Sequence, residues 1–392
     1  MSSCTQEIED GMLRGTGNDG VCSFLGIPYA SPPLGERRFR PPVLPDLWNG
    51  ERDATRFGAD CLQAASTIDG KTGRQSEDCL TLNIWTPRMQ GRLPVMVFIH
   101  GGAFREGGSS SPLYDAADLA RRGIVAITFN YRLGPMGFLV SLQDGLMGNL
   151  GLWDQQLALE WVQRNVHAFG GDARHVTLFG ESAGAMSIAV HLTLHSSARL
   201  FSRAILQSNP ASYRYRDVVL ADKLGRAFKE RVQCRSLSEL QREPASSFIR
   251  EWLMVAVPRS VGDFIFWGPV HGAGTGVPTS PQMWAHAAPQ PKPLIIGSNA
   301  DEGLFFAALA FQGAMPRLSY SVTVGYLFKL DALRVLAHYA AHARGSRHQP
   351  EPHGADTCAM SSSRGLRRGD HRGALGAILS DYMFKCALRN AS

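Results

Sequence analysis

The chain has 392 residues, room for two or three average domains or for one large α/β unit. Hydrophobic residues make up 44% and charged residues 19%, which excludes a disordered or coiled-coil protein, and no apolar run is long enough to cross a bilayer. The net charge of +6 is dispersed in single residues and pairs such as Arg37-Arg38, with no basic stripe interleaved with aromatics, so nucleic acid is not an expected partner.

In chain order, the first 60 residues are turn-rich, and GIPYASPPLGERRFRPP alone holds five prolines and two glycines. This predicts an irregular lead-in over the surface, with short strands at most. Short apolar, β-branched runs follow: LTLNIW (80–85), PVMVFIH (94–100), IVAITFNYR (124–132), VTLFG (176–180), RAILQS (203–208) and PLIIGSN (293–299). Being apolar on both faces, they predict strands of a mostly parallel sheet covered on both sides. Helical patterns alternate with them: DLARRG, then NLGLWDQQLALEWVQRNVHAFGGD stopped by Gly170-Gly171, then AGAMSIAVHLTL. The alternation predicts an α/β architecture with right-handed crossovers. From 343 to 373 an Arg-, His-, Gly- and Ser-rich stretch reads as a long loop or disordered insert, after which ALGAILSDYMFKCAL is again helical.

Three segments carry chemistry. In VTLFGESAGAMSIAV, Ser182 is the centre of Gly-x-Ser-x-Gly between a predicted strand and a predicted helix. Gly180 and Gly184 leave room for a sharp turn that lifts the serine hydroxyl clear of the backbone, with the Ala183 amide behind it. In PVMVFIHGGAF a buried strand ends in small residues, Gly101, Gly102 and Ala103, whose amides are suited to face an oxyanion. His100 reads as a structural brace for that loop. In PLIIGSNADEG, Asp301 and Glu302 follow a strand end, where a carboxylate can orient a histidine in the chain order serine, acid, base. The seven cysteines match no zinc pattern, and no metal or organic cofactor is implied. Cys61 and Cys79 are spaced to close a loop, whereas Cys4, Cys22, Cys234, Cys358 and Cys386 read as free thiols.

With these motifs the chain resembles the type-B carboxylesterase/lipase family, of α/β-hydrolase fold. The matching stretches are FLGIPYASPPLGERRFRPP, SEDCLTLNIWTP, HGGAF, NYRLGPMGFL, GNLGLWDQQLALEWVQRNVHAFGGD, VTLFGESAG and GSNADEG. The resemblance implies one catalytic domain over 1–392 and a small-molecule carboxylic ester as substrate. It makes Ser182 the acyl-forming nucleophile and Glu302, rather than Asp301, the triad acid. Gly101, Gly102, Ala103 and Ala183 resemble the oxyanion region, and Cys61 and Cys79 the family's first disulfide. It further implies structural ion pairs for Arg38 with Glu77 and Arg132 with Asp154. The family's Asp in Pro-Val-x-Asp-Gly has no counterpart in GPVHG, where His271 stands.

The resemblance places the triad histidine some tens of residues after the segment similar to ILSDYMFKCAL, whereas the sequence stops at Ser392, so the expected base and the last core elements are missing from it. Of His338, His342, His348, His353 and His371, only His353 precedes a glycine, and it lies before that segment. His338 and His342 are spaced to share a helix face, and His348 and His371 read as solvated. A serine without a base stays a protonated alcohol. The alternative to an active esterase is therefore a silent fragment or a binding member of the same family. A cholinesterase-like activity fits poorly, because CLQAASTIDGKTGRQSEDC holds no aromatic to face a quaternary ammonium. MSSCTQEIEDGMLRG lacks the charged-then-apolar pattern of a secretory leader, which leans the expected location toward the cytoplasm.

Overall fold

The computed structural model describes residues 2–64, 73–210, 215–249, 265–277, 291–310, 315–339 and 370–385. His342, His348, His353, Cys358, Cys386 and most of the 343–373 stretch lie outside them. The chain divides into two compact units: the first comprises residues 1–206, 215–256 and 267–295, the second 207–214, 257–266 and 296–392. No helix among the described residues is long and apolar enough to cross a membrane.

The first unit is built on a mixed sheet. Its strands are β1 (Ser2–Ile8), β2 (Gly11–Asn18), β3 (Val21–Pro28), β4 (Glu51–Asp53), β5 (Thr81–Thr86), β6 (Leu93–Ile99), β7 (Val125–Phe129), β8 (Gly171–Glu181) and β9 (Arg203–Gln207). They run in the order β1-β2-β3-β5-β7-β6-β8-β9, with β4 beside β2. Pairing is antiparallel from β1 through β7 and parallel from β7 through β6 to β8. Every residue of β5 and β7 is buried, the polar Thr81, Asn83, Thr86 and Thr128 among them, as strands covered on both faces are.

The N-terminal residues depart from the irregular lead-in expected of them. Residues 2–28 form three regular antiparallel strands of seven or eight residues. The glycines of β2 are there for its neighbours rather than for turns. A Cβ at Gly15 would lie 2.3 Å from Ser23 O and 2.7 Å from a Phe24 ring carbon. A second correction belongs here: Cys4 and Cys22, read as free thiols, are bonded to each other, as are Cys61 and Cys79. The first bridge crosses β2 beside Gly17, where a Cβ would come within 3.1 Å of Cys4 Sγ. Cys234 is a buried free cysteine.

Helices α1 (Ala117–Arg121), α2 (Leu150–Asn165), α3 (Ala183–Thr193), α4 (Val218–Arg231) and α5 (Leu237–Arg242) belong to the same unit. All but the last residue of α3 are buried, the polar Ser187 and His191 among them. Arg132 and Asp154 pair with almost no exposure, through Nε to Oδ2 at 2.8 Å and Nη2 to Oδ1 at 2.7 Å. Arg38 forks onto Glu77 at 2.6 Å through both Nε and Nη2.

In the second unit, α6 (Glu302–Ala310), α7 (Arg317–Phe328), α8 (Ala332–His338) and α9 (Arg372–Ser380) pack around Ala307, Tyr320, Val324, Leu375 and Ile378. Helices α6 and α9 cross at paired glycines. A Cβ on Gly303 would lie 2.2 Å from Gly376 O, and one on Gly376 would lie 2.8 Å from Leu304 Cα. His371 is not solvated: it is 7% exposed and stacks on Tyr320 with centroids 5.4 Å apart. Burial, helped by Arg317, lowers its tendency to protonate. The neighbouring Asp370 and Arg372 bond to each other, which leaves the imidazole free to face the core.

Candidate active site

The site begins with two parallel strand ends. Ile99 of β6 is in register with Gly180 of β8, so 100–104 and 181–184 leave the sheet side by side. Open α/β sheets bind ligands beyond the carboxyl ends of their strands. Ser182 stands between β8 and α3 with φ 53° and ψ −118°, a backbone conformation that non-glycine residues rarely adopt. Strain of this kind costs about 1–3 kcal/mol and persists only where the surroundings enforce it. The enforcement here is steric. A Cβ on Gly184 would sit 2.0 Å from Ile99 O, and one on Gly180 would sit 2.8 Å from the same atom. Only glycines let the elbow close onto β6.

The loop after β6 is equally tight. Gly102, Ala103 and Phe104 have φ of 102°, 53° and 60°, three successive residues in the left-handed half of the map. The turn is closed by Arg105 and Glu106, whose amides both donate to Gly102 O. The fully buried Phe104 packs edge-on to Phe138, and its carbonyl accepts from Gly134 N at 2.7 Å. Gly101 lies beside the serine, since a Cβ there would be 3.2 Å from Ser182 Cβ. His100 is 1% exposed, donates from Nδ1 to Gly101 O at 2.8 Å and stacks on Tyr131 at 4.5 Å. Burial pushes its imidazole down to about 4, against a smaller upward pull from the Gly101 carbonyl. It is a neutral ring held inside the loop.

Glu302 is described within the second unit. It is the first residue of α6 and is 9% exposed. Its Oε1 accepts the Asn299 amide at 2.7 Å and the Ser208 hydroxyl. Ser208 is itself held in the left-handed region, at φ 52°, by its N–H to Gly297 O. The amide of the next residue, Gly303, donates to Ser380 Oγ at 2.7 Å, which ties the start of α6 to α9. Asp301 is half-buried, and its carboxylate makes no hydrogen bond or ion pair among the described residues. Sequence reasoning does not single out Ser208, because a serine that ends a strand carries no signal until its partner is known. Of the histidines after Glu302, His338 is the exposed last residue of α8 and His371 is in the helical core.

A parallel strand, a strained serine and a buried helix, with a glycine loop alongside, define an α/β-hydrolase fold. The family model described as carboxylesterase family matches residues 3–391, and the chain belongs to that family. It is 35% identical over 393 residues to "Crystal protein" of Dictyostelium discoideum, covering 97% of this chain and 66% of that protein. It is 39% identical over 306 residues to "Para-nitrobenzyl esterase" of Bacillus subtilis (strain 168), covering 76% of this chain and 62% of that one. A solved structure described as PNB esterase superposes with a TM-score of 0.77 at 32% identity, covering 98% of this chain and 77% of that one. The chain thus spans slightly less than two thirds of these two curated relatives.

Proposed function

We propose that the chain carries the chemistry of a serine carboxylic ester hydrolase acting on small-molecule esters, within one catalytic domain over 1–392. Ser182 Oγ attacks the ester carbonyl carbon while its proton passes to a histidine base. The carbonyl oxygen becomes an oxyanion, which the amides of Gly101, Gly102, Ala103 and Ala183 stabilise, each such donor being worth roughly 10²–10³ in rate. The intermediate collapses, the carbon–oxygen bond to the alcohol breaks, and the base returns its proton to the leaving oxygen. Water then repeats the sequence on the acyl-enzyme and releases the acid. Glu302 orients the base. Its Oε1 already takes two donors, which favours Oε2 for the imidazole. His353, the one histidine after Glu302 that precedes glycine, is the base to test within these residues.

The observation that carries this reading is the strained backbone of Ser182 at the end of β8, with Gly101 against its Cβ. The test is fluorophosphonate labelling of the purified chain, read by peptide mass spectrometry, with Ser182→Ala as control. Labelling at Ser182 that the control abolishes supports an activated nucleophile, and His353→Ala then asks whether that residue is the base. A folded, soluble chain that does not label at all overturns the reading for this chain.

A further inference from the structure

A buried hydrogen-bond chain runs from the far end of α3 to the carbonyl of Ala183, the residue next to the nucleophile. His191, on the last turn of α3, meets Gln155 Oε1 of α2 through Nε2 at 2.9 Å. Gln155 Nε2 donates to Ser187 Oγ at 3.1 Å, and Ser187 Oγ donates to Ala183 O at 3.0 Å. All three side chains are 0% exposed. The polarity runs one way. The amide oxygen of Gln155 only accepts, so His191 Nε2 carries the proton and donates. The amide nitrogen of Gln155 only donates, so Ser187 accepts from it and donates its own O–H to the Ala183 carbonyl. Complete burial pushes the imidazole down to about 3, so it is neutral, with its one proton on Nε2. Its Nδ1 has no partner among the described residues, which costs less for an acceptor than for a buried N–H.

Two linked hydrogen bonds across an otherwise apolar helix interface specify one alignment, because any slip of α3 along α2 leaves a buried donor unpaired. The alignment is delivered to Ala183, the residue whose amide follows the strained serine. On its other side the same turn is stopped by Ile99 O against Gly184. The Ala183–Gly184 peptide is thus gripped from both sides, and through the Ala183 Cα it fixes the direction of the Ala183 N–H, which belongs to the preceding peptide. Gln155 is the one member that joins two helices. We propose that Gln155, with His191 and Ser187, is a positioning residue that sets the Ala183 amide toward the developing oxyanion. The inference rests on the esterase reading above.

The test compares Gln155→Met and Ser187→Ala with Ile188→Val, which removes one methyl from the 0% exposed Ile188 on the same helix without touching the chain. Two readouts are taken: hydrogen exchange and the ¹H–¹⁵N signal of the Ala183 amide, and kcat and KM for p-nitrophenyl acetate. In both network variants the Ala183 signal is expected to move and its exchange to quicken about tenfold. Their kcat is expected to fall about tenfold with KM within twofold, a fraction of the full worth of one oxyanion donor. Ile188→Val is expected to melt lower with kcat unchanged. The proposal is overturned if the network variants, still folded, keep the Ala183 signal and kcat, or if Ile188→Val loses as much kcat as they do. If Gln155→Met does not fold, Ser187→Ala decides, since it removes a single oxygen. If the wild-type chain hydrolyses no ester, the esterase reading has failed, and the Ala183 amide alone decides the positioning claim.

Discussion

Replacing Arg132 with methionine takes the cationic partner away from the buried Asp154 carboxylate. Asp154 is 0% exposed and takes the backbone N–H of Arg132 at 3.0 Å as well as the two guanidinium bonds. Arg132 also donates to Arg40 O at 2.8 Å. Removing one partner of a buried pair costs about 3–5 kcal/mol, because the survivor remains ionised in a poor solvent. The entropy of unfolding is about 2.1 cal/mol/K per residue, so a loss of about 4 kcal/mol lowers Tm by about 5 °C in a chain of this size. The double variant Arg132→Met/Asp154→Leu removes both charges and is expected to regain most of that loss. The consequence reaches the site: the segment after Arg132 supplies the Gly134 amide that holds Phe104 O. Arg132→Met is therefore expected to lower kcat as well as Tm. Differential scanning calorimetry of the four proteins of the cycle is the assay. A single variant within 1 °C of wild type, or a double variant no better than the single, refutes the reasoning.

Two further predictions follow from the same geometry. Gly184→Ala places a Cβ 2.0 Å from a backbone oxygen, so the elbow must open, and fluorophosphonate labelling of Ser182 is expected to drop by at least 10²-fold, the scale of one oxyanion donor. A Gly184→Ala protein that labels at the wild-type rate shows that the contact is not restrictive. Acid is expected to destabilise the first unit through His100 and His191. Both are neutral when folded, with values depressed by burial to about 4 and about 3, while in the unfolded chain they take up protons below about 6.5. Stability attributable to them is thus complete above pH 6.5 and lost as pH falls toward 4, at up to about 1.4 kcal/mol per pH unit for each imidazole. Urea titrations at pH 7, 6 and 5 check the sign, and a midpoint that does not fall on acidification contradicts it.

The elbow and the glycine loop are legible in the linear sequence because their demands are local. A strand, a glycine, a serine and a helix must be consecutive for Ser182 to reach its strained φ, and His100 to Ala103 must directly follow a buried strand. The ion pairs Arg38–Glu77 and Arg132–Asp154 and the Cys61–Cys79 bridge are implied by the resemblance and present in the fold. The prolines and glycines of GIPYASPPLGERRFRPP make the first 60 residues read as an irregular lead-in with short strands at most, although residues 2–28 ahead of most of them are regular strands, and Cys4 and Cys22 read as free thiols. Cys4 and Cys22 are 18 positions apart, the same separation as Cys61 and Cys79, and what brings them together is that β1 and β3 flank the same strand. His371 reads as solvated from its arginine neighbours, yet Asp370 engages Arg372 and the imidazole turns inward onto Tyr320. Ser208 acquires meaning only from Glu302, 94 residues away, and Gln155 only from Ser187 and His191, 32 and 36 residues away. Chemistry that needs neighbours in the chain is written in the chain. Chemistry that depends on which strands and helices pack together appears only after the apolar faces have been buried, because that burial selects the neighbours.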